Sequence, residues 1–393
     1  MIMKKSIIWI AVSLTLAICF LVFFFFPFVT RSVKEPSFIV RVRIMNNAGE
    51  VKVASDKKCE ILDARTGYVL ENGVLFPGSV NILSAPDGIR AGGKIFKFDR
   101  LRISPGGKGD LVLNGTAYRG DIDIIRKEGG LDIINRAELE DYLKGVIPRE
   151  VHPLWPYSAL KAQAIASRSF AVYQALIRKN KDYDLTGDAS SQVYGGKAGE
   201  RWRTTRAVEA TRGKILEYRG KAFPAYFHSC CGGHTENVSR LWDQKIKPLK
   251  GVKCQWCRWS PRFRWTIRVP TRTILEKLRE KGYDIKRVDN IKEGKRDPSG
   301  RLEYVDVKSG NKWLNIKTEH FRSALGKKNL MSANFSIKKY PFFYLFGGHG
   351  WGHGVGMCQW GAFGMSLRRW SAERILNYYY PGTRIVSLSE VLR

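Results

Sequence analysis

The sequence predicts an α+β protein: a β-rich N-terminal module and a mixed α/β domain, preceded by one transmembrane helix. Three observations carry this. Residues 6–29 contain no charged side chain. From Ser37 to about Arg126, short runs such as FIVRVRIM, KIFKF and LVLNGTAYRGDIDII alternate apolar and polar residues between Gly, Pro, Asn and Asp, the period of half-buried antiparallel strands. Ala159 to Leu176 holds neither Gly nor Pro and repeats apolar residues at three- and four-residue spacing, the period of a helix. The expected divisions are 1–35, 36–126 and 127–393, the last with a basic insertion at about 266–340.

Taken in order, the 24 uncharged positions from Ser6 to Val29 follow Lys4 and Lys5. At 1.5 Å per residue they are long enough to cross a ~30 Å hydrocarbon layer. No small-x-small cleavage site precedes Arg31, so the segment reads as an anchor rather than a removed signal peptide, with the rest of the chain outside. The 393 residues carry 67 Lys and Arg against 36 Asp and Glu, a formal charge of +31. A polyanionic partner follows, and an anchored domain outside the membrane meets no genome, which argues against nucleic acid. The β-rich module shows no catalytic constellation and reads as a platform; Cys59 within it reads as a small buried hydrophobe.

Asn135 and Arg136 precede a short helical turn expected to end near Gly145. Glu150 stands among Pro148, Val151, Pro153, Leu154, Trp155 and Pro156, stiff apolar neighbours whose desolvation favours the protonated carboxyl. Pro156 suits a first helical turn, and the helix behind it buries Ala162, Ile165, Ala166, Ser169, Val172, Tyr173 and Leu176. In the loop DLTGDASSQVYGG, Asp188, Ser191, Gln192 and Tyr194 offer groups that either hold sugar hydroxyls or cap an ordinary turn.

Cys231 and His234 form a C-x-x-H pair, and Cys254 and Cys257 a C-x-x-C pair. This is ligand spacing for a closed tetrahedral zinc site that would stabilise a loop. Disulfides are the rival in an oxidising compartment. Residues 262–339 read as a solvated basic face. The segment FYLFGGHGWGHGVGMCQWGAFGM then spreads His349, Trp351, His353, Gln359 and Trp360 among glycines. That composition suits close backbone approach to a ligand, with aromatic faces and hydrogen-bonding groups for a sugar. No Gly-Lys-Ser or Gly-Lys-Thr follows, which argues against a nucleotide loop. No organic cofactor is expected.

Three stretches in order, VIPREVHPLWPYSALKAQAIASRSFAVY, SSQVYGG and GHGWGHGVGMCQWGAFGM, resemble the signature of the SpoIID/LytB family of sporulation proteins D and amidase enhancers. The resemblance spans roughly Leu139 to Pro381, apart from Thr266 to Tyr340. It implies a lytic transglycosylase that cuts peptidoglycan glycan strands between N-acetylmuramic acid and N-acetylglucosamine, leaving 1,6-anhydro ends, in wall remodelling or sporulation. Glu150, in the Pro-x-Glu turn, would be the catalytic acid, with the 188–196 loop close to it and zinc in the cysteine region of some members. The alternative is a non-catalytic wall-binding protein that enhances an amidase or recruits another cell-wall hydrolase.

Overall fold

The computed structural model describes residues 37–393 apart from 107 and 108. The expected span at 6–29 lies outside the described residues. Among those described, no helix is long and apolar enough to cross a membrane.

The chain is mixed α+β, and its first hundred described residues form strands: β1 (Ile39–Ala48), β2 (Glu50–Asp63), β3 (Val69–Ala85), β4 (Gly88–Ala91), β5 (Lys94–Phe96), β6 (Arg100–Pro105), β7 (Asp110–Leu113), β8 (Thr116–Arg119), β9 (Asp121–Lys127) and β10 (Gly130–Glu138). With β11 (Leu185–Thr186) they make one sheet, ordered β11-β1-β10-β9-β6-β2-β3-β4-β5, with β7 on β2 and β8 on β7. The alternation read from the sequence is visible in β6 and β7, whose every second residue is buried. Strand β10 breaks the period, with six consecutive buried residues. It lies between β1 and β9 and runs directly into helix α1 (Leu139–Glu150).

Helix α2 (Tyr157–Ile177) is the spine of the molecule. The sequence predicts one buried stripe, but two faces are covered. Leu160, Ala164, Phe170, Ala171 and Val172 pack into the core beneath the large sheet. Ala162, Ile165 and Ala166 pack into a second core with Leu216, Phe223, Met357, Ile375 and Tyr379. A helix apolar on both sides is an interior helix. A buried ion pair ties it to α1: Arg168 Nε and Nη2 donate to the two carboxylate oxygens of Glu140 at 2.8 and 2.7 Å.

Beyond α2 come α3 (Trp202–Glu209), β12 (Lys214–Tyr218), β13 (Lys221–Ala222) and β14 (Phe227–His228). The segment read as a basic face has its own core of Trp265, Ile274, Leu278, Val305, Phe321, Phe346 and their neighbours. It is built from β15 (Arg264–Pro270), α4 (Thr271–Glu280), β16 (Asn290–Glu293), β17 (Tyr304–Ser309), β18 (Lys312–Lys317), α5 (Thr318–Leu325), β19 (Phe335–Lys339) and β20 (Phe343–His349). The chain closes with β21 (Met357–Cys358), α6 (Gln359–Leu367), α7 (Ala372–Tyr379), β22 (Arg384–Ser387) and α8 (Leu388–Val391).

Helix α1 corrects one expectation. It does not stop near Gly145 but continues through Gly145 and Pro148 to Glu150. Gly145 is a packing residue: a Cβ there would stand 2.7 Å from the Tyr194 ring and from the Gly196 carbonyl oxygen. Its own carbonyl accepts the Gly195 N–H at 3.2 Å. Gly145→Ala is therefore expected to push the 190–196 loop off α1 and lower the melting temperature, read from a thermal denaturation curve beside that of the native protein.

Candidate active site

Glu150 is the last residue of α1, and the chain turns extended at Val151. Its Oε1 accepts the Val193 N–H at 2.9 Å. Its Oε2 faces Gln359 Nε2 at 3.5 Å, the outer limit of a hydrogen bond. Burial pushes the carboxyl above its ordinary pKa, and these two donors only partly oppose the shift. Arg149 turns its guanidinium over Gly195, where a Cβ would meet Nε at 2.6 Å. The carboxyl is held by the end of α1, the loop after β11 and the start of α6, one from each of the three sequence stretches. Such a group carries a proton to higher pH than a free carboxylate, as a general acid requires.

Beside it stands an aromatic shelf. The rings of Trp155 and Trp360 meet edge-on at 5.0 Å, and Phe363 lies 5.2 Å from each. All three are partly exposed, so their faces are available to the C–H face of a sugar ring. Trp360 is among the residues expected to bind a sugar; Phe363, packed against it, is not. A cavity of about 540 Å³ opens near the same loop, lined by Ser190, Ser191, Phe227, Trp242, Lys327 and His353.

The other expected binding residues lie in several environments. Gln192 is fully buried, its Oε1 accepting from Tyr142 Oη at 3.0 Å and its Nε2 donating to the Ser167 carbonyl at 3.4 Å. Tyr194 is buried too and donates to Asn135 Oδ1 at 2.9 Å. Both brace the loop from behind, leaving the Val193 N–H as its contribution to Glu150. His353 lines the cavity, but its ring nitrogens are spent on backbone: Nε2 lies 2.9 Å from the Phe227 carbonyl, and Nδ1 accepts the Val355 N–H at 3.1 Å. Burial holds its pKa down at about 4, which favours the neutral imidazole. His349 packs edge-on against Phe263, and Trp351 is 40% exposed with Arg262 over its ring. The glycines between them answer a backbone need: Gly350, Gly352, Gly354 and Gly356 all take positive φ, from 74° to 114°, where a side chain would be strained.

The cysteines also depart from their expected partners. The Sγ atoms of Cys231, Cys254, Cys257 and Cys358 all lie within 4.8 Å of one another and are buried. No disulfide joins the cysteines described. His234 is not in the group; its Nδ1 lies 2.6 Å from the Thr235 carbonyl. The fourth position belongs to Cys358, the residue that precedes Gln359, and spacing along the chain gives no sign of it.

The family model for stage II sporulation protein, SpoIID, matches residues 127–218, and a domain of unknown function, DUF8618, matches 234–356. Stage II sporulation protein D of Bacillus subtilis is 32% identical over 267 residues, covering 64% of this chain and 75% of that protein. The chain belongs to the SpoIID family. An uncharacterized protein of Brachyspira hyodysenteriae is 35% identical over 284 residues, covering 72% of this chain and 75% of its own length. The amidase enhancer of Bacillus subtilis is 28% identical over 293 residues, 62% of this chain and 40% of that protein. The SpoIID match takes in Glu150 and Val193, and the DUF8618 match most of the third core and the glycine-rich loop.

Gln359 supplies a test of the site. Its amide lowers the pKa of Glu150 by favouring the anion. Gln359→Leu should therefore raise the pKa of the Glu150 carboxyl further, which a pH titration of that carboxyl by NMR in the native and variant proteins reads.

Proposed function

We propose that this SpoIID-family protein is a lytic transglycosylase of peptidoglycan, acting outside the cytoplasmic membrane to which residues 6–29 anchor it, with the β-rich module as its platform. The supporting observation is the convergence of three distant segments on one protonation-prone carboxyl, near a cluster of partly exposed aromatic rings. Ordinary glycosidases use two carboxylates; here the second role falls to the substrate. Glu150 protonates the oxygen between N-acetylmuramic acid and N-acetylglucosamine, and that bond breaks. As a carboxylate it then takes the proton of the C6 hydroxyl of the same muramic residue, whose oxygen closes on C1 to give the 1,6-anhydro ring. The Val193 N–H and the Gln359 amide steady the carboxylate between the two steps. Trp155, Trp360 and Phe363 hold the sugar, and the 540 Å³ cavity takes a neighbouring part of the strand. The +31 charge suits a strand bearing lactyl carboxylates.

Mass spectrometry of glycan strands after incubation with the protein tests this: 1,6-anhydromuramic ends are the expected product. The similarity to the amidase enhancer favours one second reading, a wall-binding protein that recruits a hydrolase. Strands bound but left uncut would select it.

A further inference from the structure

We infer that Cys231, Cys254, Cys257 and Cys358 form a four-thiolate site for one zinc ion, and that this ion fixes the start of α6 and thereby the amide of Gln359 beside Glu150. The dimensions suit a single ion. With Zn–S bonds of 2.3 Å, a tetrahedral site has sulfur-to-sulfur edges of about 3.8 Å. The four Sγ atoms here lie within 4.8 Å of one another, with Cys231 and Cys257 at 3.5 Å. That volume encloses one ion, and four sulfurs without an open position make a closed, non-catalytic centre.

The surroundings are arranged for thiolates. Cys358 Sγ receives the backbone N–H groups of Cys231 at 3.2 Å and Gly361 at 3.3 Å. The Gly233 N–H points at Cys231 Sγ at 3.5 Å, and Tyr379 Oη lies 3.1 Å from Cys254 Sγ. Donors of this kind orient ligand sulfurs and spread their negative charge. A buried set of neutral thiols would leave this number of donors poorly used. Gly232 at φ 74° and Gly233 at φ 127° fold the chain back so that Cys231 can reach the group. Arg301, from the segment with the third core, donates to the Cys231 carbonyl at 2.8 Å and the His234 carbonyl at 2.9 Å, tying that segment to the same knot.

The link to the active site is covalent and short. Cys358 is the N-cap of α6, and Gln359 is the next residue. Gly361 gives α6 its close approach to the cysteine turn, since a Cβ there would stand 2.9 Å from Cys254 Sγ. Cys230, at the same strand end, pairs its backbone with Trp351. One ion thus joins the 230–234 segment, the 254–259 turn and α6.

The test is elemental analysis of the purified full chain, with its thiols counted by a colorimetric disulfide reagent before and after chelation. One zinc per chain is expected, with the four thiols protected until chelator is added. Substituting cobalt should give the intense sulfur-to-cobalt absorption of a four-thiolate tetrahedral site. Cys257→Ser and Cys358→Ser should each lose the ion, whereas Cys230→Ser and His234→Ala should keep one equivalent. If the serine variants do not accumulate, cobalt exchange into the unaltered chain still decides the ligand set. Iron in place of zinc, retention of the ion in Cys358→Ser, or a metal-free chain lighter by two hydrogens per disulfide would each overturn the assignment.

Discussion

Replacing Glu150 by Gln should abolish 1,6-anhydro products while leaving strand binding intact. The amide keeps the shape and can still accept the Val193 N–H, but it has no acidic proton to give. General acid–base assistance contributes about 10²- to 10⁴-fold, and in the proposed mechanism the same group acts in both steps, so the loss should lie at or beyond the upper end of that range. Two further readouts separate this from simple damage to the fold. In the native protein the rate should fall as pH rises, because the protonated form is the acid and burial carries its pKa above that of a free Glu. Stability should follow the same sign. A carboxyl whose folded pKa is raised contributes most below its unfolded pKa of about 4.3, and that contribution is lost as pH rises through the folded value. The Gln variant should therefore melt higher than the native protein near pH 7, and the two should converge in acid. A variant that is inactive yet more stable marks a residue kept for chemistry at the expense of the fold.

What was legible in the chain was whatever depends on local periodicity. The strands of the large sheet and helix α2 follow from alternation and helical spacing, because each buries a face that the pattern reveals. What was hidden depends on neighbours distant in sequence. Gly145 and Pro148 disfavour a helix on local grounds, yet α1 passes through both, because Gly145 is the surface on which the Tyr194 loop rests. Gln192 and Tyr194 are polar, and polarity alone suggests exposure. Their partners Tyr142, Ser167 and Asn135 come from other elements, and only the fold shows that their hydrogen bonds are already made. Likewise C-x-x-H is good ligand spacing, but the thiol that completes the cluster comes from Cys358, more than a hundred residues along the chain.

Breaking the ion pair between Glu140 and Arg168 should have the largest effect on stability. The Arg168 side chain is fully buried. Beyond its two bonds to Glu140, it donates to the Val208 carbonyl at 3.2 Å and the Lys214 carbonyl at 3.1 Å. Glu140 Oε1 also accepts the Gly213 N–H at 3.1 Å. Removing one partner leaves the other charged and unpaired in the interior, which costs about 3–5 kcal/mol, a large part of the ~5–15 kcal/mol that holds a domain together. Arg168→Met should therefore lower the denaturation midpoint sharply or prevent accumulation of folded protein. Arg168→Lys, with charge but no planar fork, should fall between it and the native protein. The double variant Glu140→Leu with Arg168→Met should be more stable than Arg168→Met alone, since no orphaned charge remains. If the double variant instead shows the sum of the two single losses, the bidentate pair contributes nothing as a pair. The pair also reaches the chemistry, because α1 carries Glu150 at its far end and α2 is the spine on which α1 is set. In any variant that folds, the proposed activity should fall as the carboxyl loses its contact with Val193. The shared cause is then the docking of α1 on α2, read from a single pair of buried charges.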